Sequence, residues 1–248
     1  MAKVRSWVAG VTRPKDILSV ALASLGYDKR DPKFFRENFE VALSNLMDEG
    51  FSVLHKEQTT LIRRVVSFSD EFSKSDLDTS DEILWQGVKS LSNQRMKRAG
   101  VAMEGIMAFI LGRCDIEYQR GQPRTGRADF ICPSLNAFDN YPEYAVILEF
   151  KRTLRERWKE VLDELAKTST VWLVTLDRGL TRGTVESIGD SNITLYARQS
   201  VYEALPRDHK HLRSIRTLLA DIRGRTGSNP QTHFPDPEPL MLKARIEK

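Results

Sequence analysis

The chain has 248 residues, of which 40% are hydrophobic and 29% charged, the composition of a globular protein able to bury a sizeable core. A formal net charge of +4 permits a polyanionic partner. The two cysteines, Cys114 and Cys132, exclude a disulfide framework or a Cys-rich zinc site, and the apolar runs are too short to span a bilayer, so we expect a cytoplasmic protein.

Helical periodicity dominates the first third of the chain. Apolar residues recur at spacings of three and four in residues 16–25 and 32–47, and residues 58–72 are a third candidate helix. A polar linker follows, with Ser80 as a possible helix cap. One or two further helices are predicted over residues 81–114.

Beyond residue 115 the apolar pattern becomes that of strands. The predicted strands, in chain order, are "IEYQR", "ADFIC", "YAVILEF", "VWLVTL" and "NITLYA". A helix over residues 153–167 is predicted between the third and fourth strands, and a final amphipathic helix over 209–223. This order predicts a mixed α/β layer arrangement.

The stretch "EFKRTLRERW" begins as the end of a buried strand and continues as a cluster of charge. Because residues alternate faces along a strand, Glu149 and Lys151 share one face, and a return of the chain would bring Asp129 beside them. Two carboxylates can hold a hard cation that polarises a phosphodiester and activates water. The lysine would orient that water or balance developing negative charge. A structural ion pair at the sheet edge is the alternative.

The turn after the lysine concentrates arginines where a helix is predicted to begin. Thr153 and Glu156 fit a capping box, and a solvated first turn is the simplest role for the arginines. However, positively charged side chains at the N-terminus of a helix interact unfavourably with the helix dipole. Binding of a negatively charged or acceptor-rich ligand would compensate for this cost. Guanine offers O6 and N7 to arginine, and cytosine N4 donates to glutamate. The segment Arg155-Glu156-Arg157 is therefore a candidate for reading adjacent G·C pairs.

The carboxylates and lysine, within this order of elements, resemble the PD-(D/E)XK nuclease superfamily. Arg155-Glu156-Arg157, which begins four residues after Lys151, is similar to the Arg-Glu-Arg of the EcoRII/PspGI-like type II restriction endonucleases, which read CC/GG-containing sites. In that group an aspartate lies twenty-two residues before the lysine, which is Asp129 here. The second acidic ligand lies on the following helix, thirteen residues after the lysine, which is Glu164 here.

A further similarity lies upstream, in "NQRMKRAGVAME". It resembles the helix of the group in which R-A-G-x-x-x-E supplies another acidic residue near the site, and this implies Glu104. Relatives use a glutamine early in that helix to contact the G·C pairs. Aligned on R-A-G, its place is taken by Asn93, with Gln94 adjacent, and with Arg98 these residues are candidates for DNA binding.

The second metal ligand is open: the resemblance favours Glu164 and strand geometry favours Glu149, so either or both could complete a Mg²⁺ site with Asp129. Glu160 and Asp163, one helical turn and one residue away, compete with Glu164 for this role. The fold implied is α/β, with a restriction-endonuclease-like core of a mixed sheet flanked by helices. One nuclease domain would cover residues 1–248, comprising a helical region over 1–78, the catalytic core over 79–225 and an extended tail over 226–248.

The resemblance implies a Mg²⁺-dependent type II restriction endonuclease that cleaves double-stranded DNA at a short palindrome of the CCNGG, CCWGG or CCGG kind. A palindrome implies a homodimer. Because the enzyme would cut an unprotected genome, a cognate DNA methyltransferase is expected in the same prokaryotic cell. Two alternatives stay open. One is a repair or junction nuclease of the same superfamily, with nonspecific phosphate contacts from the arginines. The other is a DNA-binding protein that does not cleave.

Overall fold

A computed structural model gives the fold and describes residues 12–72, 77–121, 128–154, 170–191, 193–205 and 209–227. Contacts along the chain divide it into two compact units, residues 1–113 and 114–248. The first unit is helical and the second is built on a β-sheet. The expectation of one nuclease domain with a division between residues 78 and 79 stays a prediction; that position lies inside the last helix of the first unit.

The described part of the first unit contains four helices: α1 over Pro14–Leu25, α2 over Pro32–Glu37, α3 over Phe39–Phe72 and α4 over Leu77–Arg113. Proline begins both α1 and α2, a position where its missing N–H breaks no helical hydrogen bond. Helix α1 ends at Gly26, whose φ of 64° is the left-handed conformation that glycine adopts without strain. None of the helices in the described ranges is both long and apolar enough to cross a membrane.

Helices α1, α3 and α4 bury apolar side chains against one another. Ile17, Leu54 and Ala102, one from each helix, form a buried cluster. A Cβ atom at Gly50 of α3 would lie 3.2 Å from Ile106 Cδ1 and 3.4 Å from Ile17 Cγ2. Glycine at this position therefore permits the three helices to approach closely.

Several predicted helix boundaries in this unit are wrong. The predicted helix over residues 32–47 is two helices, separated at Asn38, and residues 58–72 are not a separate helix but the end of α3. Ser80 lies within α4 rather than capping it. At Asn38 the side-chain amide donates to the Phe34 carbonyl and caps the end of α2. Residues 39–72 contain no proline and glycine only at Gly50, so no helix breaker separates residues 58–72 from the helix before them.

The described part of the second unit holds a six-stranded sheet in the order β1-β2-β3-β4-β5-β6. The first three strands pair antiparallel, and β3 to β6 pair parallel. The strands are β1 over Gln119–Arg120, β2 over Phe130–Cys132, β3 over Val146–Lys151, β4 over Val171–Thr175, β5 over Ile193–Ala197 and β6 over Leu212–Ser214. The predicted mixed sheet flanked by helices is confirmed, and all five predicted strands are present in shorter form.

Short helices connect the strands. Described elements between or after them are α5 over Leu135–Asn140, a 3-10 turn over Pro142–Tyr144, α6 over Arg182–Gly189, α7 over Gln199–Ala204, a 3-10 turn over Ile215–Thr217 and α8 over Leu218–Thr226. Ile131, Ile147, Leu173 and Leu195 from four neighbouring strands form one buried core with residues of α6 and α7. This core holds the carboxyl ends of the parallel strands in fixed register.

The predicted final helix over residues 209–223 is wrong at its start. Leu212–Ser214 form β6, with Leu212 paired to Leu195, and α8 begins only at Leu218. The apolar residues have helical spacing, but pairing with the exposed edge of β5 satisfies the backbone there instead. The predicted helix over 153–167 lies, from residue 155, outside the described residues, and so does the tail from residue 228.

Candidate active site

The candidate active site lies where β2 begins and β3 ends. Phe130 pairs with Leu148, so Asp129, one residue earlier on the antiparallel strand, lies beside Glu149. Lys151 is two residues beyond Glu149 and shares its face of the sheet. The structure thus brings together Asp129, Glu149 and Lys151, the three residues that strand alternation and the return of the chain were expected to place side by side.

Three contacts tie this cluster to the backbone and to itself. The backbone N–H of Asp129 donates to Glu149 Oε1 at 3.0 Å, and the N–H of Phe150 donates to Asp129 Oδ2 at 2.8 Å. Lys151 Nζ lies 3.1 Å from Glu149 Oε2. The Glu149 carboxylate accepts from the Asp129 backbone, and the Asp129 carboxylate accepts from the backbone of the residue after Glu149, so both side chains are held at the strand ends.

Burial and neighbouring charges shift the pKa values of both carboxyl groups in the cluster. The Glu149 side chain is only 6% exposed. Burial, followed by the negative charge of Asp129, raises the pKa of Glu149 to about 7, although Lys151 acts against this rise. Burial also raises the pKa of Asp129, while the positive charges of Lys151 and Arg120 lower it. Two carboxylates beside one ammonium leave an excess of negative charge that a bound cation would relieve.

We expect Glu149→Gln to stabilise the metal-free protein at pH 8 and to change its stability much less at pH 5. A pKa raised from 4.5 to about 7 means that the folded state holds the Glu149 proton more tightly than the unfolded state, so this group makes folding less favourable as pH rises through that window. At pH 5 the native side chain is already neutral. The gain at pH 8 should be about 1–3 kcal/mol in the free energy of unfolding, measured by urea denaturation in EDTA.

Glu143→Gln is the matched control, because Glu143 is an exposed glutamate of the same unit. It should change the unfolding free energy little at either pH. An equal effect of Glu149→Gln at both pH values, or a loss of stability at pH 8, would show that Glu149 is not held under electrostatic strain.

The donor chemistry of the cluster fits a hard cation. Asp129 and Glu149 offer only carboxylate oxygens, and Mg²⁺ is typically bound by one or two carboxylates together with water and substrate phosphate. Within the described ranges, no group of three or more His, Cys, Asp or Glu residues could hold a metal. Further ligands would therefore come from water, from a phosphate or from residues outside those ranges.

The predicted recognition segment and one predicted ligand fall outside the described residues. One described range ends at Leu154 and the next begins at Thr170. Arg155-Glu156-Arg157 and Glu164 lie between these two ranges. These assignments stay predictions. Leu154, the last residue before the recognition segment, is described.

The other predicted site residues lie on α4, in the helical unit. The Asn93 side chain is exposed and Glu104 is half-buried, while Gln94 belongs to the same helix. Arg98 donates to Glu57 Oε2 at 2.7 Å and to the Thr12 carbonyl at 2.5 Å, and its side chain is 17% exposed. Arg98 therefore ties α4 to α3 and to the start of the described chain, a structural role that the R-A-G motif did not predict.

Three residues beside the cluster were not predicted from the sequence. Arg120 of β1 lowers the pKa of Asp129 through its charge. Thr175 and Asp177 lie two residues apart at the end of β4 and form hydrogen bonds with the chain that leaves β3. The signal available in the sequence was the position of Asp177 directly after the apolar run "VWLVTL", since the carboxyl ends of adjacent parallel strands lie at the same edge of a sheet.

Comparison with known proteins identifies related sequences. Residues 63–219, more than half of the chain, match the family described as EcoRII C terminal. The chain is 24% identical over 210 residues to the type II restriction enzyme SsoII of Shigella sonnei, covering 73% of this chain and 67% of SsoII. It is 26% identical over 142 residues to the type II restriction enzyme EcoRII of Escherichia coli, covering 54% of this chain but only 35% of EcoRII.

Solved structures share the fold. Metal-depleted Ecl18kI in complex with uncleaved DNA matches with a TM-score of 0.77 at 16% identity, covering 95% of this chain and 85% of that chain. The complex of the restriction endonuclease PspGI with substrate DNA matches with a TM-score of 0.67 at 16% identity, covering 90% and 96%. The mixed sheet with flanking helices is therefore the fold of these endonucleases.

Proposed function

The chain belongs to the EcoRII C-terminal family of type II restriction endonucleases, and we propose that it cleaves double-stranded DNA at a short palindrome containing CC/GG, with Mg²⁺ as its metal. The observation that carries this proposal is the cluster of Asp129, Glu149 and Lys151 at the ends of β2 and β3. A buried carboxylate, a half-buried carboxylate and an ammonium brought together at these strand ends are groups suited to metal-assisted hydrolysis of a phosphodiester.

Each residue of the cluster has a chemical role in this proposal. Asp129, with Glu164 or Glu149, would hold the ion through carboxylate oxygens. A bound Mg²⁺ supplies Lewis-acid polarisation of the phosphodiester and lowers the pKa of water. Lys151 would orient the attacking water or balance the negative charge that develops on the phosphate. Glu104 stays a proposed further acidic residue of the site.

Recognition is assigned to the segment that follows the lysine. Arg155 and Arg157 would donate to guanine O6 and N7, and Glu156 would accept from cytosine N4. Asn93 and Gln94 are proposed to contribute minor contacts, and Arg98 would act by supporting their helix. The recognition sequence would be of the CCNGG, CCWGG or CCGG kind.

Arg155→Ala should weaken binding to the cognate duplex by about 1–3 kcal/mol for each bidentate arginine–guanine pair that it removes, while binding to unrelated DNA changes much less. Fluorescence anisotropy in EDTA at fixed ionic strength measures both affinities. Arg155→Lys is the matched variant, because lysine keeps the charge but not the planar fork. Full rescue by lysine would identify a nonspecific phosphate contact and contradict base reading.

The assembly follows from the symmetry of the proposed target. A palindrome is read by a two-fold homodimer in which each subunit reads one half-site and cuts one strand. Such an enzyme would endanger its own genome, so we propose a cognate DNA methyltransferase in the same prokaryotic cytoplasm.

Incubation with plasmid DNA, with Mg²⁺ or with EDTA, tests the activity and separates it from the alternatives. Discrete fragments in Mg²⁺ alone support the proposal. Nicking confined to branched or damaged DNA, supplied as a separate substrate, would indicate a repair or junction nuclease. Binding without cleavage on every substrate would indicate a DNA-binding protein that has no nuclease activity.

A further inference from the structure

We infer that Thr175 and Asp177 are positioning residues that fix the direction in which the chain leaves the catalytic strand toward the bases. This inference rests on the proposed function, because it concerns how the proposed catalytic lysine and recognition segment are held relative to each other. Neither residue is assigned a contact with DNA or metal. Their role is exerted through the backbone of residues 152–154.

Asp177 holds the exit segment directly. Its Oδ2 accepts from the backbone N–H of Leu154 at 2.8 Å, and its Oδ1 accepts from the N–H of Gly179 at 2.9 Å. Both carboxylate oxygens are thus used on backbone donors of two different segments. Strand β3 ends at Lys151. Leu154 follows three residues later and immediately precedes Arg155.

Thr175 contacts the same segment at Arg152, the first residue after β3. It pairs with Lys151 across the parallel strands and is fully buried. Its Oγ1 accepts from the N–H of Asp177 at 3.1 Å and donates to the carbonyl of Arg152 at 3.4 Å. A buried hydroxyl with these two partners orients Asp177 and contacts the residue next to Lys151 at the same time.

The Leu154 side chain completes the anchor. It is fully buried in the core of the second unit, so Leu154 is held by its side chain from the core and by its N–H from Asp177. Lys151 is fixed by β3, and only Arg152 and Thr153 lie between these two anchored points. The geometry therefore leaves little freedom between the residue proposed to act on the phosphate and the residues proposed to read the bases.

Three variants separate this role from simple stabilisation. Asp177→Asn keeps the size of the side chain but leaves one oxygen, so the bonds to Leu154 and Gly179 cannot both survive. Thr175→Val removes the hydroxyl at nearly constant shape, and Thr175→Ser keeps the hydroxyl. Because Thr175→Val changes no charge, agreement between it and Asp177→Asn excludes an effect of removing a negative charge near DNA.

The measurement is kcat/KM on duplexes that carry the cognate site or the same site with one base pair changed, in Mg²⁺ and well below each variant's Tm. Asp177→Asn and Thr175→Val should lower kcat/KM on the cognate site about 10- to 100-fold, since displacements near 1 Å cost this much. Discrimination between the two duplexes should fall about tenfold, and Thr175→Ser should restore both values to within about threefold of the wild type.

The outcomes are distinguishable. A lower Tm with unchanged kcat/KM and unchanged discrimination would overturn the inference and leave Thr175 and Asp177 as stabilising residues only. Failure of Thr175→Ser to restore activity would overturn the assigned role of the hydroxyl. If the wild type itself does not cleave or does not discriminate, the proposed function fails, which is a different result from wild-type cleavage with unaffected variants.

Discussion

Replacing Lys151 with alanine is expected to lower DNA cleavage by at least about 10²–10³-fold, because it removes the positive charge that we propose stabilises the reacting phosphate. The fold should survive. The side chain is 22% exposed, and Glu149, which loses its ion partner, has a pKa of about 7 and can take up a proton instead of remaining a buried, unpaired charge. Single-turnover cleavage of a cognate duplex, with circular dichroism and Tm beside it, measures both expectations.

Lys210→Ala is the matched control for this variant. Lys210 is an exposed lysine in the same unit, so the same chemical change is made away from the cluster. It should cleave at a rate close to that of the wild type. Substantial activity of Lys151→Ala, at a level comparable with Lys210→Ala, would mean that the assigned site is wrong even if the enzyme is a nuclease.

Replacing Asp129 with asparagine is expected to reduce cleavage by about 10²–10³-fold, because it removes a carboxylate that we propose holds the metal and so stabilises charge in the transition state. Asparagine keeps the shape and one oxygen that can accept from the Phe150 N–H, so the end of β3 should stay in place. The expected signature is a cleavage rate that no practical Mg²⁺ concentration restores, together with loss of the Mg²⁺-dependent rise in Tm.

Measuring the cleavage rate at increasing Mg²⁺ concentration also identifies the second metal ligand. Glu149→Gln and Glu164→Gln are compared in cleavage rate at increasing Mg²⁺, with Asp139→Asn, an exposed carboxylate on α5, as the control. The variant of the true second ligand should need far more Mg²⁺ or lose activity altogether, and the other glutamate should have a smaller effect. Wild-type Mg²⁺ dependence in Asp129→Asn would contradict a metal site at this strand end.

Strand alternation and the return of the chain were sufficient to predict that Asp129, Glu149 and Lys151 lie together. Glu149 and Lys151 had to share a face because they are two positions apart on one strand, and Asp129 had to lie nearby because the preceding strand pairs antiparallel. The hydrogen bonds that lock the cluster, and the raised pKa of Glu149, depend on burial and register to within an ångström. A sequence pattern does not contain this information.

Other features depended on contacts between residues distant in the chain. Leu212–Ser214 lie within residues 209–223, whose apolar residues have helical spacing, but their backbone pairs with the edge of β5 and forms β6 instead. Arg98 matches a motif associated with the DNA-binding helix, yet its partner Glu57 is 41 residues away. Asp177 lies 23 residues after the Leu154 backbone that it holds. Local patterns cannot specify such partners, which is why these roles appear only in the folded chain.

The most direct test is to digest phage DNA with the purified protein in Mg²⁺ and to sequence the ends of every fragment. We predict that each end lies at a fixed position within one short palindrome containing CC/GG, that EDTA prevents cleavage, and that the Lys151→Ala protein generates no such ends. Ends without a common motif, or intact DNA under all metal conditions, would contradict a site-specific endonuclease built on Asp129 and Lys151.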